Sequence, residues 1–539
     1  MEEFDYIIVG AGSAGCVIAN RLSADPGLRV ALIEAGPTDG GFPTGITSRL
    51  PVGNIFLLPS DRFNWRHEFQ GGPGVNGRSI PCPRGRMLGG SSSINGTVYM
   101  RGHRGDYDDW ADAGNPGWSW LDVLRAYKKQ ENWQGGESQF HGHGGELDVQ
   151  APRSLNPLSQ AFIDAAVSAG HPRNGDFNGA AQEGFGAWEL NQRNGVRASS
   201  ARAFLEPVRG RRNLTVLTDT HVGRIVVEGR RAVAVAVVRN GLAHRIAVRS
   251  EIILSGGTIN SPQTLLVSGV GPAAQLQGFG IDVVHDLPGV GENLQDHPSA
   301  YFAVDDRSRR SYALNARTLP RVALSPFRYL LGRTGMLTSN AAEAGGFLCT
   351  RPGLSRPDIQ VTFMPGLKVS ARSIPREHGV MAFVTLLRPN SRGTVTLASP
   401  DPKARPVLRP NFLEHPDDLR TLLAGMRETR RILSQSPIKP YLGDEIVPGA
   451  DQQTDEQLEA VIRATLATLH HPVGTCKMGP RADPTAVVDH RLRVHGLTGL
   501  RVADASVMPT IVGGNTSAPA MMIGERVSGF ILEDRARTP

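Results

Sequence analysis

Two places in the 539-residue chain combine side chains and backbone that can do chemistry. Near the C-terminus, His470-His471-Pro472-Val473-Gly474 sets two imidazoles ahead of a proline, which holds His471 in extended backbone. An imidazole, with a reference pKa of about 6.5, exchanges protons at neutral pH. A histidine pair also occurs as ordinary structural or surface residues, and the pair alone does not choose between the two. Further on, Asn515-Thr516-Ser517-Ala518-Pro519 supplies an amide that can donate and accept hydrogen bonds but cannot take up a proton. At the other end of the chain, Gly10, Gly12 and Gly15 fall in a G-x-G-x-x-G pattern. Here the first glycine makes a tight turn, the second lets backbone approach a pyrophosphate, and the third lets helix pack on strand. His141 and His143, at i and i+2 in a glycine-rich stretch, have no acidic or third histidine partner nearby in sequence and read as a solvated loop. Cys16, Cys82, Cys349 and Cys476 show neither a CxxC nor a histidine-flanked spacing, so no metal site is expected.

Those groups need elements to hold them. Tyr6-Ile7-Ile8-Val9 reads as a buried parallel strand that stops at Gly10, and residues 14–22 read as the helix whose N-terminus faces phosphate. A second strand, Val30–Ile33, ends in Glu34 about 20 residues after the glycines, where a carboxylate bonds an adenosine ribose hydroxyl. Strand, glycines, helix, second strand and acid in this order predict dinucleotide binding and leave FAD and NAD both open. The punctuated segment Gly36–Pro59 reads as a long irregular, functional excursion. Residues 84–102, rich in glycine and serine donors before Val98-Tyr99-Met100, read as a loop lying against a large cofactor. Helical spacing marks 121–130, 158–169 and 416–434. Strands are expected at 214–217, 222–227, 232–238 and 243–249 as an antiparallel meander turning at Glu228-Gly229 and Asn240-Gly241. The strand Glu251–Leu254 then repeats the opening strand–glycine–helix step, with Ser261-Pro262 as N-cap and first helical residue.

The length suggests two domains. A formal charge of +7, almost all from arginine spread along the chain without a dense basic block, reads as a diffuse solvated surface and argues against nucleic acid. Four scattered cysteines and a first strand within six residues of the start lead to the expectation of a cytoplasmic protein, and no run of 18 apolar residues suggests a membrane span.

Arg86-Met87-Leu88-Gly89-Gly90-Ser91-Ser92-Ser93-Ile94-Asn95-Gly96 resembles the first signature of the glucose-methanol-choline (GMC) oxidoreductases. The run through Ser255 to Pro272, ending in Ser268-Gly269-Val270-Gly271-Pro272, resembles the second signature, and 290–297 is a further family-like block. The resemblance implies FAD as cofactor, and it makes NAD the poorer choice. It places Gly10, Gly12, Ser13, Ala14, Gly15, Glu34, Ala35, Trp65, Gly90, Asn95, Gly96, Thr97, Val98, Val222, His470, Asp504, Ala505 and Thr516 against FAD. Ile94 stands where some members carry a flavin-linking histidine, which implies non-covalent binding.

By the same resemblance, His471 is the catalytic histidine and Asn515 the second catalytic position. The implied reaction is oxidation of an alcohol, a primary one first, by hydride transfer to flavin N5 with His471 as base. The acceptor is O2 in an oxidase, or a quinone or other acceptor in a dehydrogenase; a lyase or photodecarboxylase is a more remote alternative. Glu343, in Asn340–Phe347, is a candidate substrate-binding acid, with a buried structural acid as the competing reading. The scarcity of aromatic residues argues against a choline-binding cage. The implied fold is mixed α/β: a Rossmann-like FAD-binding domain (1–155, 195–310 and 465–539) interleaved with a substrate domain of antiparallel sheet and helices (156–194 and 311–464). Oligomeric state is left open.

Overall fold

The computed structural model describes residues 2–41, 44–367 and 375–537, so Phe42 and Pro43 of the expected irregular segment lie outside the described residues. Apolar, β-branched strands covered on both faces form a parallel sheet. Glu3–Val9 runs between Val30–Ile33 and Leu242–Leu254, with Leu214–Leu217 beyond the first and Leu500–Val502 beyond the second. The register pairs Val9 with both Ile33 and Leu254, Leu217 with Ile33, and Leu254 with Val502, so five strands end level. Gly10, Glu34, Ser255 and Ala503 leave the sheet at that edge, which is where open α/β sheets bind ligands. The helix Ser13–Leu22 packs on the closing helix Ser517–Arg537 so closely that a Cβ at Gly524 would lie 2.7 Å from the Ala14 carbonyl.

Four local expectations are corrected. Leu214–Leu217 is not part of the meander but the parallel edge strand beside Val30–Ile33. The two hairpin turns, with left-handed Gly229 and the left-handed pair Asn240-Gly241, serve only the three later strands. Glu251–Leu254 is not a separate strand. It is the end of one 13-residue strand, Leu242–Leu254, which pairs antiparallel with Arg231–Arg239 first and parallel with Glu3–Val9 last. The following helix starts at Gly257 rather than Ser261, so Pro262 lies inside it. Proline has no N–H for the Thr258 carbonyl four residues back; the Thr475 hydroxyl donates to that carbonyl instead, at 2.6 Å. The excursion after Glu34 contains short helices, Thr44–Arg49, Pro51–Gly53 and Asn54–Leu57, with Pro51 well placed at a helix start.

A second sheet is antiparallel, in the order Leu442–Val447, Pro298–Asp306, Gly379–Leu386, Ile359–Met364, Ala344–Leu348, Gly184–Ala187. Its strand Pro298–Asp306 comes from residues on the nucleotide side of the boundary expected at 310. Ile359, Val361 and Phe363 point to the helices Pro157–Ser168 and Pro416–Leu433, where Phe363 stacks on Phe162 at 4.5 Å. By strand alternation Gln360 and Thr362 face the other way, into the cavity between the two sheets. Pro298 also pairs with Thr468, which brings His297, just before Pro298, close to His471, three residues after Thr468.

Candidate active site

A cavity of about 430 Å³ runs from the level strand ends to His471 and Asn515. At its nucleotide end Gly10 has φ +103°, and a Cβ there would lie 2.4 Å from the Ser255 carbonyl. Gly12, Ser13 and Ala14 line the cavity at the start of the first helix. Gly15 does not: its face is pressed to the Gly10 carbonyl, 1.9 Å from where a Cβ would sit. Gly15 serves the helix–strand packing expected of the third glycine, and its expected place against FAD is corrected. Glu34 and Ala35 line the same end. The Glu34 carboxylate accepts from Ala11 N at 3.0 Å and Gly36 N at 2.9 Å, and burial pushes its pKa up to about 7 against those two bonds. Val222 lines the wall alongside.

The middle of the cavity is walled by Trp65, Gly90, Asn95, Gly96, Thr97 and Val98. Gly90, at φ +52°, lets this loop cross the glycine turn; a Cβ there would be 2.8 Å from the Gly12 Cα. Asn95 Oδ1 accepts from Thr97 N and from the buried Arg197, which fixes the loop. Ile94 also faces the cavity. Asp504 and Ala505 come from the turn after Leu500–Val502. Asp504 accepts from Gly257 N, Ser261 Oγ and Ser506 N, so its carboxylate braces two helix starts while lining the cavity. Thr516 lines the cavity just ahead of the closing helix.

At the far end the backbone of His470, at φ +64°, is held by Arg84, whose guanidinium donates to its carbonyl at 2.5 Å. Both His470 and His471 face the cavity. His471 Nε2 lies 3.1 Å from Asn515 Nδ2, and its Nδ1 lies 3.0 Å from His297 Nδ1. His297 Nε2 is 3.2 Å from the Leu387 carbonyl. A carbonyl only accepts, so His297 carries its proton on Nε2 and accepts on Nδ1. His471 therefore donates from Nδ1, and its unprotonated Nε2 accepts from Asn515 Nδ2 at the cavity. Gln360 donates to Asn515 Oδ1 at 3.3 Å, which turns the Asn515 amide N–H towards His471. Burial drives the pKa of His471 well below its ordinary value, and the neighbouring His297, Arg84 and His470 act in the same direction. Burial likewise takes His297 down to about 3. Both rings are neutral at neutral pH. Asp296 accepts from the backbone N–H of His471 at 2.7 Å and of His297 at 2.8 Å, so one carboxylate aligns both histidines.

The structure thus gathers His471, Asn515 and every expected FAD contact except Gly15 around one cavity. Glu343 is outside it. Its carboxylate is fully buried and accepts from Asn156 N, Ser159 Oγ, Tyr312 Oη and Ser339 Oγ, which leaves nothing to offer a substrate. The substrate-binding expectation for Glu343 is corrected to a structural acid that ties three loops together. The solvated-loop reading of His141 is corrected as well. The side chain is buried, stacks on Trp133 at 4.0 Å, and bonds Glu131 and Asp176, partners 10 and 35 residues away in sequence. His297, Asp296 and Gln360 had no assigned role from sequence. A visible signal existed for His297: Asp296-His297-Pro298 and His470-His471-Pro472 both end in His-Pro.

The residues fit a flavin dinucleotide. Gly10 and Gly90 leave room that a Cβ would fill, and the helices starting at Ser13, Gly257 and Ser517 have their N-termini at the cavity. Buried polar atoms of His221, Gln360 and Ser517, all cavity-lining residues, have no partner among the described residues.

Comparison with known proteins gives the family. Residues 4–299 and 389–524 match the N- and C-terminal parts of the family described as GMC oxidoreductase. The chain is 44% identical over 533 residues to an alcohol dehydrogenase (acceptor) of Pseudomonas putida, covering 98% of this chain and 96% of that one. It is 40% identical to the mitochondrial choline dehydrogenase of Homo sapiens, covering 98% of this chain and 90% of the other. Among solved structures, pyridoxine 4-oxidase from Mesorbium loti superposes with a TM-score of 0.88 at 30% identity, covering 98% and 99% of the two chains.

Proposed function

Because this chain belongs to the GMC oxidoreductase family, we propose that it oxidises an uncharged alcohol to the carbonyl compound, with His471 as the base. The observation that carries the reading is the neutral, singly oriented His471, whose unprotonated Nε2 accepts from the Asn515 amide where an alcohol hydroxyl would enter between them. The glycine turns and the wall from Trp65 to Val98 would hold FAD, which would supply the two-electron oxidation as hydride acceptor. His471 Nε2 accepts the hydroxyl proton, and Asn515 Nδ2 donates to the alcohol oxygen as negative charge develops on it. The chain of hydrogen bonds through His297 to the Leu387 carbonyl keeps the His471 proton on Nδ1, so Nε2 is ready in every turnover. The walls exclude water with apolar groups such as Val98, Ile94 and Leu469.

Two carboxylates line the cavity among the described residues. Glu34 is at the nucleotide end, and Asp504 is committed to the helix starts. No acid or aromatic box faces the reacting end there, which supports an uncharged alcohol over a quaternary ammonium. A primary carbinol is the class to test first. Ile94 offers no nucleophile to flavin, which supports non-covalent FAD; acid precipitation should then release all flavin into the supernatant. Four free cysteines support a reducing compartment, the cytoplasm.

The test is an anaerobic panel of alcohols scored by flavin bleaching, followed by addition of O2 or an artificial quinone acceptor. Bleaching by alcohols supports the reading, and the reagent that restores colour assigns the acceptor. A flavin that no alcohol bleaches, while a carboxylic acid is consumed in light or a hydroxynitrile is cleaved, would replace it with one of the non-redox chemistries.

A further inference from the structure

The formal charge of the chain is less diffuse than its overall sequence suggests. Residues 307–342 hold seven arginines and no aspartate or glutamate, which equals the net +7 of the whole chain. Two short helices, Leu319–Ala323 and Ser325–Gly332, lie in this stretch. They bury Ser325 and Tyr329 and turn large apolar side chains outward: Leu319, Leu324, Phe327, Leu330 and Leu331 are 54–89% exposed. Soluble surfaces seldom carry so many large apolar groups on one short helical pair without an interaction to cover them. Arg317, Arg321 and Arg328 are exposed on the same segment and pair with no carboxylate among the described residues, whereas Arg307 reaches Asp444 and Arg333 stacks on Tyr329.

We propose that the helical pair Leu319–Gly332 is a lipid-docking surface that seats this protein on an anionic bilayer. Apolar side chains at the headgroup boundary with flanking arginines are what an interfacial helix uses to bind such a surface. The charge argues for lipid over a second copy of the chain: a two-fold self-contact would press an arginine-rich, acid-free stretch against itself. No helix among the described residues is long and apolar enough to cross a membrane, so the surface would lie on the bilayer rather than span it.

The seat is joined to the cavity. Met336–Thr338, directly after the helices, packs on Pro51–Gly53, which leads into the cavity-lining residues Asn54 and Leu58. Asn340 Nδ2 donates to the carbonyl of Gly96 in the cavity wall at 2.7 Å. Ile46 and Phe56, 54% and 55% exposed, add apolar surface on the Pro51 side. This inference stands on the surface alone and does not depend on which alcohol is oxidised.

The test is co-sedimentation of the full-length FAD-loaded protein with vesicles of phosphatidylcholine, alone or mixed with phosphatidylglycerol, at low and high salt. The protein should pellet with the mixed vesicles at low salt and be released by high salt. Leu330→Asp/Leu331→Asp should abolish pelleting. Arg317→Gln/Arg321→Gln/Arg328→Gln should weaken it by roughly fivefold per arginine. Both variants change exposed residues and should keep flavin content and alcohol-dependent bleaching. Failure of the wild type to bind the mixed vesicles would overturn the proposal, as would unchanged binding by the double variant. A concentration-dependent dimer in light scattering that the double variant dissolves would assign the surface to self-association instead.

Discussion

In its proposed role as base, His471 stays neutral because burial makes its charged form costly, and no carboxylate bonds its ring. Burial and neighbouring positive or titratable groups lower its pKa, so the ring stays neutral well below pH 6.5. The rate constant for alcohol-dependent flavin reduction should therefore stay level as pH falls through about 6.5 and decline only at more acidic pH. Stopped-flow reduction across the acid range checks this. His297 is a positioning residue: it touches His471 Nδ1 and lies off the cavity lining. In His297→Ala that N–H loses its acceptor and a neighbour that disfavours protonation, so the acid limb should move up towards the ordinary histidine value. Reduction at neutral pH should fall by roughly tenfold to a hundredfold, by analogy with metal-bound imidazoles that lose their orienting partner. A variant that lost rate without moving the limb would show His297 to be structural only. Family resemblance singled out His471 in the sequence, but nothing there indicated its tautomer. Tautomer depends on an imidazole 174 residues away and on the Leu387 carbonyl, and no local pattern carries that.

Among the elements, the helix Gly257–Val267 shows how sequence and structure diverge. Ser261-Pro262 has the composition of a helix start, yet four more residues are helical before it. The deciding group is the Thr475 hydroxyl, 217 positions away, which satisfies the Thr258 carbonyl that Pro262 leaves open. Both residues are buried. Thr475→Val keeps the shape and strands that carbonyl, so urea unfolding should show a loss of about 1–3 kcal/mol, while Thr475→Ser should retain most of the wild-type stability. The opening strand, glycines, helix and second strand were legible because their signals are local: apolar runs, glycine spacing and one acid. The place of Leu214–Leu217 was not, since an edge strand buried against Val30–Ile33 has the same apolar pattern as a meander strand.

Across the molecule, the loop that walls the cofactor cavity rests on a buried charged network. Arg101 and Glu131 pair at 2.7 Å with both side chains fully buried, and His141 bonds Glu131 on one side and Asp176 on the other. Burial alone would lower the His141 pKa, but the bonds to Asp176 and Glu131 push it up to about 9. A raised histidine contributes stability that is fully present below its unfolded value of about 6.5 and is lost as pH rises through about 9. Thermal or urea unfolding between pH 6 and 9 should show that loss, on the order of 3 kcal/mol. In His141→Phe the stability should be lower at pH 6 and the slope over this range flattened. A wild-type profile that stays flat there would remove His141 from the account. This network was not legible in the sequence, because its segments meet only after folding; the arginine-rich, acid-free run 307–342 is visible there, but the exposure of its apolar side chains is not.

In the proposed reaction His471 takes the proton when an alcohol gives up its hydride. Anaerobic stopped-flow reduction of the FAD-loaded wild type and of His471→Ala by the best primary alcohol of the panel measures it most directly. The variant should keep its flavin and be reduced at least about a hundredfold more slowly, as expected for a lost general base. Reduction of the variant at the wild-type rate, with flavin fully bound, would contradict it.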